Sequence, residues 1–404
     1  MRSLEDYRGI VSDNIIYDIH KKARELYGKH IVHINSTYQG GGVAEMISSV
    51  VPLMNDIGIS TGWRILHGNS DFFTITKKFH NAMQGESIHF TQMKKDLYQK
   101  ASEDFHIYNR LDHDCVIIHD PQPLPLIKYY TKHQPWVWRC HVDLSNPNPD
   151  VWEFIKKFLL KYDQMVVSNK KYLREGLPVD QRIIPPAIDP LTPKNMDLPE
   201  IIQEKYLEKY NIPTDKPLIT QISRFDKWKD PEGVLAVFEK VRKERDCRLV
   251  LCGNMAADDP EGQEIFKRVQ KKARELTKNS DVILITSENN ILVNALQRKS
   301  DVILQKSLRE GFGLTITEAL WKGRPVVASD VGGIPSQITN RENGFLVQPE
   351  DIKGCADRVI QLLDDRKLAE NIGNRGKEVV RENFLVTRLL SDHLDLLQDM
   401  LVCK

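Results

Sequence analysis

The sequence has 404 residues, too many for one ordinary hydrophobic core, so we expect two domains of about 200 residues each. Its 57 Lys and Arg residues nearly balance 56 Asp and Glu residues, and this net charge of +1 gives no indication of a nucleic-acid or membrane partner. The apolar runs are too short to span a bilayer, no secretory signal opens the chain, and the six cysteines form no CxxC pair. We therefore expect a cytoplasmic protein with reduced thiols.

Short β-branched runs alternate with helical patterns along the whole chain. Runs such as CVIIHD and RLVLCG are continuously apolar, as expected for strands that helices cover on both faces. The alternation predicts two doubly wound α/β domains. We predict strands at residues 30–35, 62–66, 88–91, 115–120, 135–142, 164–169, 182–188, 217–224, 247–253, 281–286, 301–307, 324–330 and 344–349.

The segments between these runs have the period of helices. After the first run, apolar residues recur every three or four positions from Val43 to Met54, which predicts a helix that stops near Gly58. Residues 183–200 (IIPPAIDPLTPKNMDLPE) are rich in proline and lack any period, so we interpret them as a linker. The last stretch, residues 382–403, predicts one long amphipathic helix with no strand after it.

Three consecutive glycines stand between the first strand and its helix, in HINSTYQGGGVAEMI. A dinucleotide fingerprint framed on Gly40 and Gly42 puts Glu45 where a small residue must let the helix approach the strand, and no Gly-Lys-Ser/Thr follows for a P-loop. Two interpretations stay open. The glycines form a tight turn without a ligand, or they let the backbone approach something bound at the helix start.

The segment with the most chemistry is KSLREGFGLTITEALWKGRPVVASDVGGIPSQI, residues 306–338. Glu310 follows a buried strand, and the glycines of GFG precede a short helix predicted at residues 314–321. Amide groups at such a helix start attract anions, and the helix dipole adds to the attraction. Glu318 lies one turn inside the helix, so the two glutamates can meet different parts of one ligand.

Basic residues follow the first strand of the second half, in ITQISRFDKWKDPEGVL. Arg224 offers a planar fork for a diphosphate, and Lys229 offers a mobile point charge. A solvated basic loop is the alternative, and the position at a strand's carboxyl end favours the ligand. A metal site would need paired carboxylates, but Asp112 and Asp114 come before a strand, at the wrong end of the sheet, so we interpret them as a solvated turn.

With these motifs, the chain resembles the retaining glycosyltransferases of the GT-B fold, glycosyltransferase family 4, over nearly its whole length. The most specific segments are the E-x7-E pair Glu310 and Glu318, RFDKWKD, and GGIPSQI with NGFLVQPED. STYQGGGVAEMI, IHDPQPLPL and WRCHVDLS are similar to the branch that reversibly joins a nucleotide-activated glucose to free glucose, forming trehalose. Ser336 departs from the family's usual glutamate after GGIP.

The resemblance implies two Rossmann-like domains with a deep interdomain cleft and a C-terminal crossover helix. Residues 1–190 would form the acceptor-side domain, completed by the helix at residues 382–404. Residues 191–381 would form the domain that binds the nucleotide-sugar donor. An exposed apolar face on the crossing helix would allow a homodimer.

The resemblance also implies roles for matching residues. Glu310 would bond hydroxyls of the donor sugar, and Glu318 would hold the ribose hydroxyls. Arg224 and Lys229 would neutralise the leaving phosphate, and His141 would lie beside the transferred sugar. The other donor-site positions would be Gly42, Asn254, Gly311, Phe312, Gly313, Leu314 and Thr315, and the acceptor-site positions would be Gly41, Asp120 and Gln122.

Retention of anomeric configuration would follow from a front-face reaction without a covalent enzyme intermediate. Two cationic side chains and a helix start can balance the departing diphosphate, so we expect no essential metal; Mg²⁺ carried by the diphosphate would at most stimulate. Alternatives are another sugar acceptor in the same family, as in mannosyl- or sucrose-type transferases, a phosphorylase, and a non-catalytic sugar-nucleotide-binding protein. The preferred base stays open, with its site expected near residues 286–290.

Overall fold

The computed structural model describes residues 2–38, 41–253 and 260–402. The chain divides into two units, Met1–Ala187 with Phe384–Lys404, and Ile188–Asn383. Each unit is built around a sheet of six strands, in which every described strand pair is parallel.

The first unit has the strand order β2-β1-β3-β4-β5-β6. Its strands are β1 (His30–Asn35), β2 (Ser60–Ile65), β3 (Cys115–His119), β4 (Trp136–Arg139), β5 (Gln164–Val167) and β6 (Asp180–Ile183). Its helices are α1 (Asp13–Arg24), α2 (Gly42–Asp56), α3 (Ser70–Met83), α4 (Gln92–Tyr108), α5 (Pro149–Leu159) and α14 (Val386–Leu401). The order reverses between β1 and β3, and ligands of doubly wound sheets bind beyond the carboxyl ends of strands at such a switch point.

The second unit has the strand order β12-β11-β10-β7-β8-β9, with its switch point between β7 and β10. Its strands are β7 (Leu218–Ile222), β8 (Arg248–Cys252), β9 (Val282–Ile285), β10 (Val302–Gln305), β11 (Val326–Ser329) and β12 (Phe345–Val347). Its helices are α6 (Glu200–Lys209), α7 (Pro231–Arg242), α8 (Pro260–Lys272), α9 (Arg274–Lys278), α10 (Asn290–Lys299), α11 (Leu314–Trp321), α12 (Ile352–Asp364) and α13 (Arg366–Asn383).

Burial on both faces explains why the central strands lack polar alternation. Every residue of β3, β7 and β8 is buried, because helices cover both faces of the parallel sheets. In the first unit, aromatic rings dominate the core, and the rings of Phe79 and Tyr98 meet edge to face with centroids 4.6 Å apart. These cores fix the strand ends that carry the polar residues described below.

Twelve of the thirteen predicted strands overlap observed strands, although the prediction at 182–188 shares only two residues with β6, and the prediction at residues 88–91 is wrong. There, Ile88 and Phe90 pack against the core of the first unit as side chains of a loop, and Phe90 meets the rings of Phe79 and Phe154. The apolar side chains of this short run are therefore packed against the core although its backbone does not pair with the sheet.

The helix predicted over residues 382–403 is divided. Helix α13 ends at Asn383, Leu385 is extended, and α14 begins at Val386. Phe384 and Leu385 are both buried, so the break between the helices still contributes apolar surface to packing. Helix α14 packs against α1 and α2 in the first unit.

The five cysteines within the described residues are buried free thiols, and Cys403 lies outside them. None of the described helices combines the length and apolarity that crossing a bilayer requires.

Candidate active site

The basic loop after β7 is shaped by one buried aspartate. The Asp226 carboxylate accepts hydrogen bonds from the backbone amides of Trp228, at 3.0 Å, and Lys229, at 3.2 Å, and so closes a short 3₁₀ turn. The turn brings the Lys229 ammonium into an ion pair with Glu310. Arg224 instead lies at the surface, with 62% of its side chain exposed, and pairs with Asp226 at 3.1 Å.

Glu310, after β10, is the centre of this polar cluster. Its residue surface is only 8% exposed, and its carboxylate accepts hydrogen bonds from Lys229 Nζ, from Ser307 Oγ at 3.1 Å and from Gln305 Nε2 at 3.4 Å. These donors come from the loop after β7, from β10 itself and from the segment that follows β10. The carboxylate is thereby fixed in one orientation at the switch point of the second sheet.

Helix α11 begins beside this carboxylate. Gly313 has a φ of 90°, a conformation that glycine adopts readily, and it turns the chain into the helix at Leu314. Gln337, from the predicted GGIPSQI segment, supports the turn by donating to the carbonyl oxygen of Phe312 at 2.6 Å. The first amide groups of a helix have no partners within it, so this helix start can accept an anion next to Lys229.

Glu318 lies inside α11 and is 2% exposed. Its carboxylate forms an ion pair with Lys194 at 3.5 Å and accepts a hydrogen bond from Gln297 Nε2 at 3.4 Å. Lys322 donates to Gln297 Oε1 at 2.7 Å and to the carbonyl oxygen of Glu318 at 3.2 Å. Burial lowers the pKa of Lys322 to about 7. The sequence interpretation missed these supporting residues; the one local signal for any of them, left unused, is the i,i+4 spacing of Glu318 and Lys322.

In the first unit, predicted site residues follow β3 and β4. Asp120 has a φ of 63°, and its Oδ1 accepts a hydrogen bond from the backbone amide of His141 at 2.9 Å. Burial raises the pKa of Asp120 to about 7. Gln122 has a buried Oε1 that finds no hydrogen-bond partner among the described residues, so a hydroxyl donor could be bound there.

The His141 imidazole continues into a row of buried histidines. His141 Nε2 lies 3.1 Å from His119 Nδ1, and His119 Nε2 lies 2.8 Å from His33 Nδ1. The pKa values of all three rings are lowered, chiefly by burial and further by the nearby Arg139 guanidinium. The sequence interpretation singled out only His141, because the adjacency of the other two depends on the pairing of β1, β3 and β4.

Gly41 and Gly42, which follow β1, occupy different positions relative to helix α2. Gly41 precedes α2 with a φ of 98°, and a Cβ atom there would have no heavy atom within 4 Å. Gly42 is the first residue of α2. Gly40 and the predicted donor residue Asn254 lie outside the described residues.

The structure thus assembles the predicted residues into two groups, one in each unit. Arg224, Lys229 and Glu310 lie beside the start of α11 at the ends of β7 and β10, and Glu318 is buried within that helix. The other group, at the ends of β1, β3 and β4, contains Gly41, Gly42, Asp120, Gln122 and His141. Within the described ranges, no set of three or more His, Cys, Asp and Glu side chains is arranged to hold a metal ion.

Comparisons with known proteins match both units. Residues 33–174 match the family model for the N-terminal domain of trehalose synthase, and residues 202–379 match the model for glycosyl transferases group 1. The chain is 44% identical over 406 residues to trehalose synthase of Thermococcus litoralis, an alignment that covers 98% of this chain and 97% of that one. It is 40% identical over 421 residues to trehalose synthase of Rubrobacter xylanophilus, covering 99% of this chain and 97% of that one.

A solved structure shows the same architecture. Sucrose-phosphate synthase from Thermosynechococcus elongatus superposes with a TM-score of 0.71 at 17% sequence identity, covering 93% of this chain and 100% of that chain. Two parallel six-stranded sheets of this kind, with the group 1 match over the second, define a glycosyltransferase of the GT-B fold. Since the similarity to the relatives extends over almost the whole sequence, the chain belongs to the trehalose synthase family.

Proposed function

We propose that this glycosyltransferase transfers glucose reversibly between a nucleoside-diphosphate glucose and free glucose, forming or cleaving trehalose with retention of configuration. The observation that carries the proposal is the Lys229–Glu310 ion pair beside the start of α11. It combines a cation and helix amides for a diphosphate with a fixed carboxylate for sugar hydroxyls. Glucose and trehalose as substrates are supported by the family to which the chain belongs.

We assign donor binding to residues 191–381 and acceptor binding to residues 1–190 with the helix at 382–404. In the donor domain, Glu310 bonds sugar hydroxyls and Glu318 bonds the ribose. The amides near Gly313 bind the diphosphate. In the acceptor domain, the unpartnered Gln122 oxygen and the carboxyl group of Asp120 offer hydrogen-bond partners to glucose hydroxyls.

The reaction requires compensation of negative charge as the diphosphate departs. Lys229, Arg224 and the helix start supply it, so the proposed mechanism needs no essential metal. The bond between the anomeric carbon and the phosphate oxygen breaks as the bond to the acceptor oxygen forms on the same face. The acceptor hydroxyl gives its proton to the departing phosphate oxygen. Three donors already hold the Glu310 carboxylate in place. In the proposed mechanism it therefore accepts hydrogen bonds from the sugar and does not attack the anomeric carbon.

The decisive assay runs the reaction from trehalose. The protein is incubated with trehalose and UDP, ADP or GDP in turn, with and without EDTA, and nucleotide-glucose and free glucose are quantified. We expect both products with at least one nucleotide, in EDTA as well as without it. The absence of product with all three nucleotides would refute the trehalose proposal.

Further arms separate the alternatives. Product formed only with inorganic phosphate would identify a phosphorylase, and transfer from nucleotide-glucose only to another sugar would identify a different acceptor. Nucleotide-sugar binding without turnover toward any acceptor would identify a binding protein. The Lys229→Met variant provides the catalytic control, since it removes the cation from the proposed phosphate site and leaves the sheet intact.

A further inference from the structure

The row of imidazoles behind His141 is a defined hydrogen-bonded chain. His33 from β1 is fully buried and His119 at the end of β3 is 1% exposed. The rings of His119 and His141 are nearly parallel, with an interplanar angle of 7° and centroids 5.4 Å apart. Each link joins two ring nitrogens at 2.8 Å or 3.1 Å, so one nitrogen in each link carries a hydrogen and the other a lone pair.

The chain has only two possible directions when all three rings are neutral. Burial lowers the pKa of His33 to about 3, and it lowers the pKa values of His119 and His141 well below the ordinary value. A neutral imidazole has one donor and one acceptor nitrogen. Assigning the hydrogen on any one ring therefore assigns the hydrogens on the other two.

The inner end of the chain selects the direction. His33 Nε2 is buried and has no hydrogen-bond partner among the described residues. The Arg139 guanidinium, 2% exposed, acts electrostatically on His33, and its Nε and Nη1 likewise find no partner in the described part of the chain. In one direction of the chain the buried His33 Nε2 would carry an N–H group without an acceptor within the described ranges, and in the other it carries only a lone pair without a donor; a buried N–H group without an acceptor is the rarer of the two in proteins. The hydrogen of His33 is therefore expected on Nδ1.

Other charges around the inner end do not reverse this preference. Helix α14 contributes His393, Arg388 and Asp392, and β3 is followed by Asp120; the two carboxylates act on Arg139 rather than on His33. His393 Nδ1 lies 2.8 Å from the carbonyl oxygen of Leu389, so it carries the hydrogen on that nitrogen and its ring is neutral as well. Arg139 lowers the pKa of His141 as well as that of His33, so its charge acts on both ends of the chain, and the choice of direction rests on the buried His33 Nε2 atom.

We propose that His33 and His119 are positioning residues that hold His141 as the neutral tautomer with its hydrogen on Nδ1. His33 Nδ1 then donates to His119 Nε2, and His119 Nδ1 donates to His141 Nε2. The remaining nitrogen of His141, Nδ1, finds no partner among the described residues and is available to donate to a ligand. Resting on the proposed function, the inference makes His141 a hydrogen-bond donor to a sugar hydroxyl and excludes it as a general base.

Nuclear magnetic resonance of protein labelled with ¹⁵N at histidine tests the tautomer directly. The ¹⁵N shifts of a ring distinguish the protonated nitrogen from the one with a lone pair. In the wild-type protein we expect the His141 hydrogen on Nδ1 from pH 6 to pH 8. A hydrogen on Nε2, or a doubly protonated ring within this range, would overturn the proposal whatever the enzyme's activity.

Two substitutions of His119 separate positioning from packing. In His119→Asn the side-chain amide takes the place of the Nδ1–H group and can still donate to His141, whereas His119→Leu cannot. We expect His119→Leu to lose the Nδ1–H preference of His141 and about tenfold in kcat/KM, the effect of one hydrogen bond. His119→Asn should restore both. Leu and Asn variants with the same tautomer and the same activity would overturn the proposal.

His113→Leu is the matched control. His113 is a buried histidine of the same unit that precedes β3 and packs against the His30 ring, with centroids 4.3 Å apart. We expect this variant to leave the His141 shifts and the activity unchanged. If the wild-type tautomer is as proposed but the protein does not act on trehalose, the proposed function fails and the positioning inference stands.

Discussion

The polar groups at the carboxyl ends of the two sheets differ in how they are accommodated. In the first unit, burial keeps three histidines neutral and raises the pKa of Asp120 to about 7. In the second unit, Lys229 and Glu310 are held as an ion pair, and Arg224 keeps its charge at the surface. Similar sheets thus present mainly neutral imidazoles, with the buried Arg139 guanidinium near them, in one case and an ion pair with a surface arginine in the other. The fold fixes where side chains meet, and burial together with the charged partners that each group finds decides which of them carry charge.

The contrast fits the two substrates of the proposed reaction. Glucose is neutral and is recognised through hydroxyl groups, so neutral imidazoles and amides suit it. A nucleoside diphosphate carries charge that grows on the leaving group, so paired cations suit it.

The largest effect is expected at Lys229. Lys229→Met should lower kcat by about 10²- to 10³-fold, because it removes the half-buried cation that we propose neutralises the departing phosphate. Steady-state kinetics with saturating nucleotide-glucose measure this change. Lys227→Met is the control, since Lys227 lies on the same turn and pairs with Glu261, at 3.6 Å. Wild-type kcat in the Lys229 variant would mean that the charged site of the second unit is not catalytic.

A smaller effect is expected at Glu318. Glu318→Gln should raise the dissociation constant of the nucleoside diphosphate about tenfold, because a hydrogen bond to a carboxylate contributes about 1.5–3 kcal/mol. Isothermal titration calorimetry measures this affinity, and kcat at saturating donor should change less. Glu370→Gln, at an exposed position of α13, should bind as the wild type does. Equal affinities in both variants would contradict the proposed contact with ribose.

Local sequence signals cover more of the second unit's polar cluster than of the first unit's, for a physical reason. Helix α11 and its flanking Glu310 are specified by one continuous segment, in which glycines, period and charge are local signals. His33, His119 and His141 are 86 and 22 residues apart at successive links, and they meet only because β1, β3 and β4 pair. Gln297 reaches Glu318 from α10 in the same way.

The wrong prediction of a strand at residues 88–91 has a related cause. A short apolar run shows that its side chains are buried, but it does not show whether its backbone pairs with a sheet. Phe90 is partly buried and packs against rings from α3 and α5, which no local pattern could indicate. Contacts between distant segments therefore account both for the residues of the polar clusters that the sequence did not indicate and for the wrong strand.

Asp120 allows a test of how burial affects ionisation at the strand ends of the first unit. Because its folded-state pKa of about 7 exceeds the ordinary value of 3.8, its contribution to stability is complete below that ordinary value and is lost as pH rises through about 7. Asp120→Asn removes the titration while keeping an oxygen that accepts from the His141 amide. The free energy of unfolding, from urea denaturation, should therefore fall less between pH 5 and pH 8 in the variant than in the wild type.

The control for this titration is Asp18→Asn, at an exposed position of α1. This variant should keep the wild-type dependence of stability on pH. If Asp120→Asn also keeps it, then Asp120 is ionised throughout this range, and the neutral character assigned to the first unit's strand ends would be limited to the histidines.

The smallest effect is expected at Gly41, compared with Gly313. Both precede a helix with positive φ, 98° and 90°, so alanine should cost unfolding free energy from backbone strain, about 1–2 kcal/mol at Gly313 in the left-handed region and about 1–3 kcal/mol at Gly41, whose ψ of 155° belongs to a region essentially restricted to glycine. A Cβ atom at Gly41 meets no heavy atom within 4 Å, whereas at Gly313 it lies 3.3 Å from Glu310 Cγ. Gly313→Ala should therefore also lower kcat by displacing Glu310, while Gly41→Ala should lose stability with little change in kcat. Equal losses of kcat would show that the Gly41 backbone, too, must approach the substrate closely, which would make the first unit's glycine turn part of the reacting site.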